Sequence, residues 1–466
     1  MRHRWGTAVL AVLAVAASLV GVGASSLAAA TSAAPRRPAA CATPDPSQPP
    51  PTPAPTSLTT VAQAYHCIFD NYYGGPVLDS RTLLVPAFAA VTRELQRRGL
   101  DQADATLPAL TGRRDADWAA FGRVYQRVAN ALPDDEVRDA VAGAAIGAMV
   151  TALGDDHARW LDGGLRNLYA LMLSVIVGPG DIDPVATEPA YINAITPNGP
   201  AAAAGLRLGD EVLAVNGVPL FTNGVFNKGV LAWLTRGDVG ATTTFTVHRP
   251  ATGETFTVTA TAARAPGPRP AVTSRLVDGN VAYVTLPGFD PELADQVLAA
   301  VDALRSQADL RGVLLDLRGN GGGDPAAVAR LLGALAHGKV TSYWCDVRDR
   351  CTPNRTDDSV ALLNLPFVAL TDRRCASACD SFASAVKDLR LGKLVGTRTA
   401  GAVSGPGERY ALNDGSGLLL PKTHELAANK EIIDTVGVAP DHYAPTTAAD
   451  LSAGRDPGLA MAVSLL

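Results

Sequence analysis

Between Leu58 and Leu168 apolar residues recur every three or four positions. Trp118, Phe121, Val124, Tyr125 and Val128 make one stripe, and an Ala- and Val-rich stretch from Val137 to Leu153 makes another and stops at Gly154. That period belongs to amphipathic helices, and a glycine just past the last apolar position ends one. A helical bundle is expected here, with the aromatic stripe as core. From Tyr169 to Ala263 the period shortens to two: Thr243–Val247 and Thr255–Thr259 flank a loop holding Pro250 and Gly253, the pattern of a hairpin. From Val281 onward strand-length apolar runs alternate with helical stripes. The spacing predicts strands at Val281–Leu286, Val313–Leu317, Phe367–Leu370 and Leu394-Val395. Between them it predicts a helix faced by Leu293, Val297, Val301 and Leu304, a second opened by Pro325, and a third marked by Phe382, Val386 and Leu389. Repeated strand–helix units mean an α/β core.

Composition narrows the classes. The 466 residues are 47% hydrophobic and 18% charged, enough apolar material for several cores. A net charge of −5 with no long basic run argues against nucleic acid as a partner, because phosphate binding needs clustered Lys and Arg. Arg2 and Arg4, an apolar run from Ala8 to about Val22, and the small residues Ala28, Ala29 and Ala30 read as an export signal. The run is short and only mildly apolar for a spanning helix. The expectation is therefore a secreted or cell-envelope protein with no stable membrane insertion after cleavage. A lipid anchor at Cys41 fits poorly, because Arg36 and Arg37 separate it from the apolar run. The stretch PRRPAACATPDPSQPPPTPAPT that follows is an extended linker. The six cysteines, Cys41, Cys67, Cys345, Cys351, Cys375 and Cys379, are an even set in an exported chain and so are expected to pair. No CxxC or HxxxH spacing supports zinc. No metal or organic cofactor is implied.

Two strand-to-helix junctions hold candidate chemistry. In LDLRGNGGGD, residues 315–324, glycines after a buried strand turn the backbone sharply and expose amides of the kind that hold an oxyanion. In TDRRCASACD, residues 371–380, Ser377 stands at a helix entry, as a nucleophile or as an ordinary N-cap.

Two resemblances then combine. ITPNGPA from Ile195 and AGLRLGDEVLAVNG from Ala204 closely resemble the PDZ modules of bacterial secreted proteases. In such a module residues 200–204 are a short helix, Gly205 is its C-cap, and Asn216-Gly217 is a tight turn. LDLRGNGGG, CASACDSFASAVKD, KLVGTRTAG and DTVGVAPD, in that order, resemble the carboxy-terminal processing, or tail-specific, serine peptidases and their tricorn-type relatives. The resemblance covers roughly residues 58–450. It implies an α/β protein with a crotonase (ClpP)-like catalytic core, an inserted PDZ-like β-domain and an N-terminal helical segment. The expected division is 1–34 signal peptide, 35–57 Pro-rich linker, 58–168 helical domain, 169–263 PDZ-like domain, 264–452 peptidase core and 453–466 C-terminal tail.

The resemblance also assigns roles. Ser377 falls on the nucleophile, Ala378 supplies one oxyanion amide, and the Gly321–Gly323 turn supplies the other through Gly322 or Gly323. Many relatives place a lysine base twenty-five residues beyond the serine, but here that position is Ala402, and Lys387 and Lys393 are misplaced. A serine needs some base. Leu153-Gly154-Asp155-Asp156-His157 matches the motif that bears the base in the tricorn-like branch, so His157 is expected in that role, ahead of His442. The acidic member falls on Asp434, where that branch usually has glutamate, with Glu431 as the alternative if the register slips. In the PDZ module the carboxylate-binding loop falls near Leu171, Met172 and Leu173, without the customary glycine. The expected function is a secreted serine endopeptidase acting on polypeptides. The alternatives are a catalytically silent PDZ-bearing peptide binder, or a hydrolase of esters and other amides.

For the cysteines, closure of each near pair on itself is favoured over a bridge from the Cys345–Cys351 loop to the Ser377 turn. A Cys41–Cys67 bond would then tack the linker to the helical segment.

Overall fold

The computed structural model describes residues 41–44, 54–161, 169–170, 173–177, 189–227, 230, 239–264 and 271–466. The export-signal segment, most of the proline-rich stretch, and Leu171 and Met172 lie outside them. No helix among the described residues is long and apolar enough to cross a membrane.

Four helices come first: α1 (Leu58–Asn71), α2 (Ser80–Arg97), α3 (Arg114–Asn130) and α4 (Asp135–Thr151). The aromatic stripe of α3 is core, with Phe121, Val124, Tyr125 and Val128 buried and Trp118 stacked on Tyr65 at 5.0 Å between centroids. Asp134 caps α4 by accepting the Val137 amide, and Gly154, at φ +64°, takes the chain away from its end. The short strand β1 (Arg159–Leu161) follows directly.

The next unit is a sheet of β2 (Leu173–Val177), β3 (Ala190–Ile195), β4 (Glu211–Val215), β5 (Thr242–Arg249) and β6 (Glu254–Thr261), with the one-turn helix α5 (Pro200–Ala203) between β3 and β4. Its strand order is β6-β5-β4-β3-β2. Leu173 opens β2. The two threonine-rich strands pair as expected, Phe245 opposite Val258. Asn216 and Gly217, at φ +49° and +77°, make the left-handed two-residue turn that only such residues adopt easily.

The remainder is an α/β layer. In chain order it holds β7 (Thr273–Val277), β8 (Val281–Thr285), α6 (Pro291–Arg305), β9 (Gly312–Asp316), α7 (Pro325–Gly333), β10 (Val340–Cys345) and β11 (Cys351–Arg355). Then come β12 (Phe367–Thr371), α8 (Ala378–Asp388), β13 (Lys393–Gly396), β14 (Gly407–Ala411), β15 (Gly417–Pro421) and β16 (His424–Ala427). The chain closes with β17 (His442–Tyr443), α9 (Ala448–Ser452) and α10 (Pro457–Ser464). The main sheet has the order β7-β8-β9-β12-β13-β17, parallel from β8 onward. Such strands are covered on both faces and so are continuously apolar. β9 and β12 are buried at every position. Helices α6, α7 and α8 cover one face through Val297, Val301, Leu331 and Phe382, and α10 covers the other through Ala462 and Val463.

Two smaller sheets bring distant segments together. One is β11-β10-β16; the other is β1-β15-β14, in which β1 lies antiparallel to β15. Tyr410, Leu418 and Leu420 from this second sheet, with Leu412 just beyond β14, join the core of the four-helix bundle. The β2–β6 unit rests on α9: Tyr191 donates to the Thr446 carbonyl at 2.8 Å, and any Cβ at Gly209 would collide with the backbone at Ala448 and Ser452. Disulfides join Cys41 to Cys67, Cys345 to Cys351 and Cys375 to Cys379.

Candidate active site

Both glycine- and serine-bearing junctions lie at the carboxyl ends of neighbouring parallel strands, β9 and β12. At the first, Asn320 is fully buried and does three jobs. Its Nδ2 donates to the Leu286 carbonyl at 2.9 Å, its Oδ1 accepts the Gly322 amide at 2.9 Å, and its carbonyl accepts the Ala376 amide at 3.0 Å. The two junctions are thereby tied together. Gly322 presses against the serine turn: a Cβ there would lie 2.6 Å from the Ala376 carbonyl oxygen and 2.9 Å from the Ala378 nitrogen. Gly322 and Gly323 sit at φ +99° and +146°, backbone that side-chain-bearing residues rarely adopt.

At the second junction Ser377 itself has φ +59° and ψ −120°, a strained conformation for a non-glycine residue. Several bonds hold it there. Its amide donates to the Ala402 carbonyl at 2.8 Å and to Asp380 Oδ2 at 3.0 Å. Asp380, fully buried, also accepts the amides of Gly401 at 2.9 Å and Ala402 at 3.2 Å. Burial pushes the Asp380 carboxyl up, and the hydrogen bonds it accepts pull it down. The Cys375–Cys379 bond spans the same turn, with the Cα atoms 5.1 Å apart. Ala378 is the first residue of α8, so its amide has no acceptor within the helix.

His157 arrives from the far side of the sequence. Its Nε2 lies 3.1 Å from Ser377 Oγ across 220 residues. The loop that carries it is fixed by Asp155, whose Oδ1 accepts the amides of His157 at 2.8 Å and Ala158 at 3.3 Å, and whose Oδ2 accepts the Tyr72 hydroxyl at 3.2 Å. Just beyond, Trp160 donates Nε1 to Ser416 Oγ at 3.1 Å. His157 Nδ1 is buried and makes no hydrogen bond among the described residues. Asp434 is half-buried; it accepts the Val403 amide at 3.2 Å and acts on His157 through its charge. Burial depresses the imidazole, against the raising charges of Asp155 and Asp434. Burial also raises Asp434, with the Asp155 and Asp156 charges adding to it and His157 opposing.

Other candidates fall elsewhere. Glu431 is exposed and acts electrostatically on Asp388. His442 is in β17, at the edge of the main sheet. Lys387 donates to the Ala439 carbonyl, and Lys393 faces Asp441 at 3.8 Å. Of the PDZ-loop candidates only Leu173 is among the described residues. Among those residues no His/Cys/Asp/Glu group is arranged to hold a metal ion.

His157, Ser377, Ala378 and Gly323 border one cavity of about 740 Å³. Its other walls are the start of α7, β10 and β11, residues 404–407, and Glu425. Asp380 and Glu425 were not singled out from sequence. For Asp380 a signal was present: S-x-x-D across a helix start is a capping pattern.

Residues 280–444 match the family model "Peptidase family S41", and residues 191–249 match "PDZ domain". The carboxyl-terminal-processing peptidase 2 of Arabidopsis thaliana chloroplasts is 30% identical over 319 residues, 65% of this chain and 60% of that protein. The chain thus spans less than two thirds of that relative's length. The tricorn protease of Thermoplasma acidophilum is 30% identical over 165 residues, 34% of this chain and 14% of that protein. Among solved structures, the photosystem II D1 C-terminal processing protease matches with a TM-score of 0.53 at 21% identity, covering 83% of this chain and 92% of that one. At that identity the likeness concerns the fold alone.

Proposed function

We propose that the chain, whose residues 280–444 match the S41 peptidase model and residues 191–249 the PDZ model, belongs with the carboxyl-terminal processing peptidases and hydrolyses peptide bonds of polypeptides by acyl transfer through Ser377, His157 and Asp434. The observation that carries the reading is the 3.1 Å contact between His157 Nε2 and Ser377 Oγ, made at a strained helix entry beside a cavity. Nucleophile and base within hydrogen-bond reach is the geometry such chemistry needs. His157 takes the Ser377 proton as Oγ bonds to the substrate carbonyl carbon. The oxyanion is held by the Ala378 and Gly323 amides. Gly323 is preferred to Gly322 because the Gly322 amide is already donated to Asn320 and Gly323 borders the cavity. His157 then gives the proton to the leaving nitrogen as the C–N bond breaks, and water repeats the sequence on the acyl-enzyme. Asp434 steadies the imidazolium through its charge. We read the catalytic layer as crotonase-like, on the resemblance of its motifs. The names of the relatives favour cleavage near a polypeptide's carboxyl terminus. The reading of residues 1–34 as an export signal adds a secreted or envelope location, and N-terminal sequencing of protein recovered outside the cell tests it.

A fluorophosphonate probe tests the chemistry. It should label the purified protein and not Ser377→Ala, which should also lose casein hydrolysis while keeping its fold. Full activity in Ser377→Ala would remove the mechanism. Peptide capture without labelling in the wild type would favour a silent binder.

A further inference from the structure

The cavity beside Ser377 has an acidic floor. β10 and β16 are antiparallel with Trp344 opposite Glu425, so Ser342, Trp344 and Glu425 share one face of the small sheet. That face looks onto the start of α8. Glu425 is only 6% exposed, yet it borders the cavity. Trp344 Nε1 donates to its Oε2 at 3.3 Å. Burial pushes the Glu425 carboxyl up, and the Ser342, Ser381 and Trp344 side chains beside it pull it down. The Ser381 hydroxyl donates to the Ser377 carbonyl at 3.4 Å, so Glu425 keeps acceptor sites for an incoming cation, whose charge would favour its ionised form. Ser381 is four residues beyond Ser377 on α8, one helical turn of about 5.4 Å. The four-carbon stem of a lysine spans such a distance.

The other charged groups bordering the cavity do not offset Glu425. Asp324 and Arg355 are both exposed, where solvent screens them, and burial favours the neutral form of His157. An acidic side chain entering would meet a buried carboxylate. An aliphatic one would leave acceptor sites of that buried group unsatisfied, which is costly in a desolvated pocket.

We propose that Glu425 is a specificity-determining residue that selects a lysine or arginine side chain on the substrate residue whose carbonyl Ser377 attacks. The proposal rests on the peptidase reading above. It is tested with peptides differing only at that residue: Lys, Arg, Leu, Ala or Glu. The wild type should turn over the Lys and Arg peptides with kcat/KM at least about tenfold above Leu, and Glu last. In Glu425→Gln the Lys-to-Leu ratio should fall at least about tenfold, to near one. A wild-type preference for Leu or Ala would overturn the proposal without any variant. So would an equal loss on Lys and Leu in Glu425→Gln, because a merely structural carboxylate leaves the ratio unchanged. Probe labelling separates the two levels. Labelling with an aliphatic preference overturns the role of Glu425 alone, whereas no labelling and no cleavage of any peptide overturns the peptidase reading and this with it.

Discussion

On the proposed mechanism His157 must be neutral to accept the Ser377 proton, so activity should follow the unprotonated fraction of its imidazole. Burial holds that imidazole below its ordinary value, about 6.5. The sign follows: kcat/KM falls as pH drops through the imidazole pKa, so the half-point of the acid limb should lie below about 6.5. Asp434→Asn removes a charge that raises the imidazole, so the limb should move further to acid. The same change should lower the plateau by about 10²- to 10⁴-fold, because the imidazolium loses its stabiliser. Glu431→Gln should leave both within about threefold of the wild type, since exposed substitutions away from a site do little. A pH profile of the three proteins checks all of this, and the reverse ordering of the two variants would shift the acid's register by three residues. Sequence placed Ser377 and His157 where the structure brings them together. It did not anticipate that Asp434 accepts the Val403 amide while His157 Nδ1 has no partner among the described residues. That outcome depends on how a loop settles, and no local pattern encodes it. Catalytic hydrogen bonds are often loose before substrate arrives.

The Ser377 turn is held from three directions: by Asp380, by the Ala402 carbonyl and by the Cys375–Cys379 bond. Ala402 stands where the family resemblance would place a lysine, and here its backbone carbonyl anchors Ser377. Asp380→Asn would turn an NH₂ group toward either the Gly401 amide or the Ser377 and Ala402 amides, leaving one or two buried N–H groups unpaired at about 1–3 kcal/mol each. Thermal unfolding should register that loss, and labelling of Ser377 should slow even in the folded fraction. Reduction acts on the same turn. As reductant is titrated, probe labelling should decline before the far-ultraviolet circular dichroism changes, because the α/β layer has its own apolar core. Unchanged labelling after reduction of every cysteine would show that no disulfide supports the site. Strands β8, β9, β12 and β13 and helices α6, α7 and α8 of this layer were legible because their apolar periods are clean, whereas β7, β10, β11 and β14–β17 were not. Glu425 was not: in His424–Ala427 burial alternates, and nothing local says that the face carrying a glutamate is the inner one.

The helical bundle and the α/β layer were visible in the period of apolar residues, and the PDZ unit in the resemblance of its motifs, but their dependence on one another was not. The bundle core is completed by Tyr410, Leu412, Leu418 and Leu420, in and just beside a sheet more than two hundred residues away in sequence. β1 enters that sheet by pairing with β15, and the pairing carries His157 to Ser377. Such distant pairings are slow to close, because the loop entropy is lost before the contact repays it. During refolding from denaturant with the disulfides intact, helical signal should therefore recover first and probe labelling later. Coincident recovery of the two would contradict this order. On the proposed mechanism the β1–β15 pairing would then act as a maturation checkpoint. A nascent or half-folded chain would carry Ser377 without its base, and so would be harmless to itself and to its neighbours until that distant contact closes.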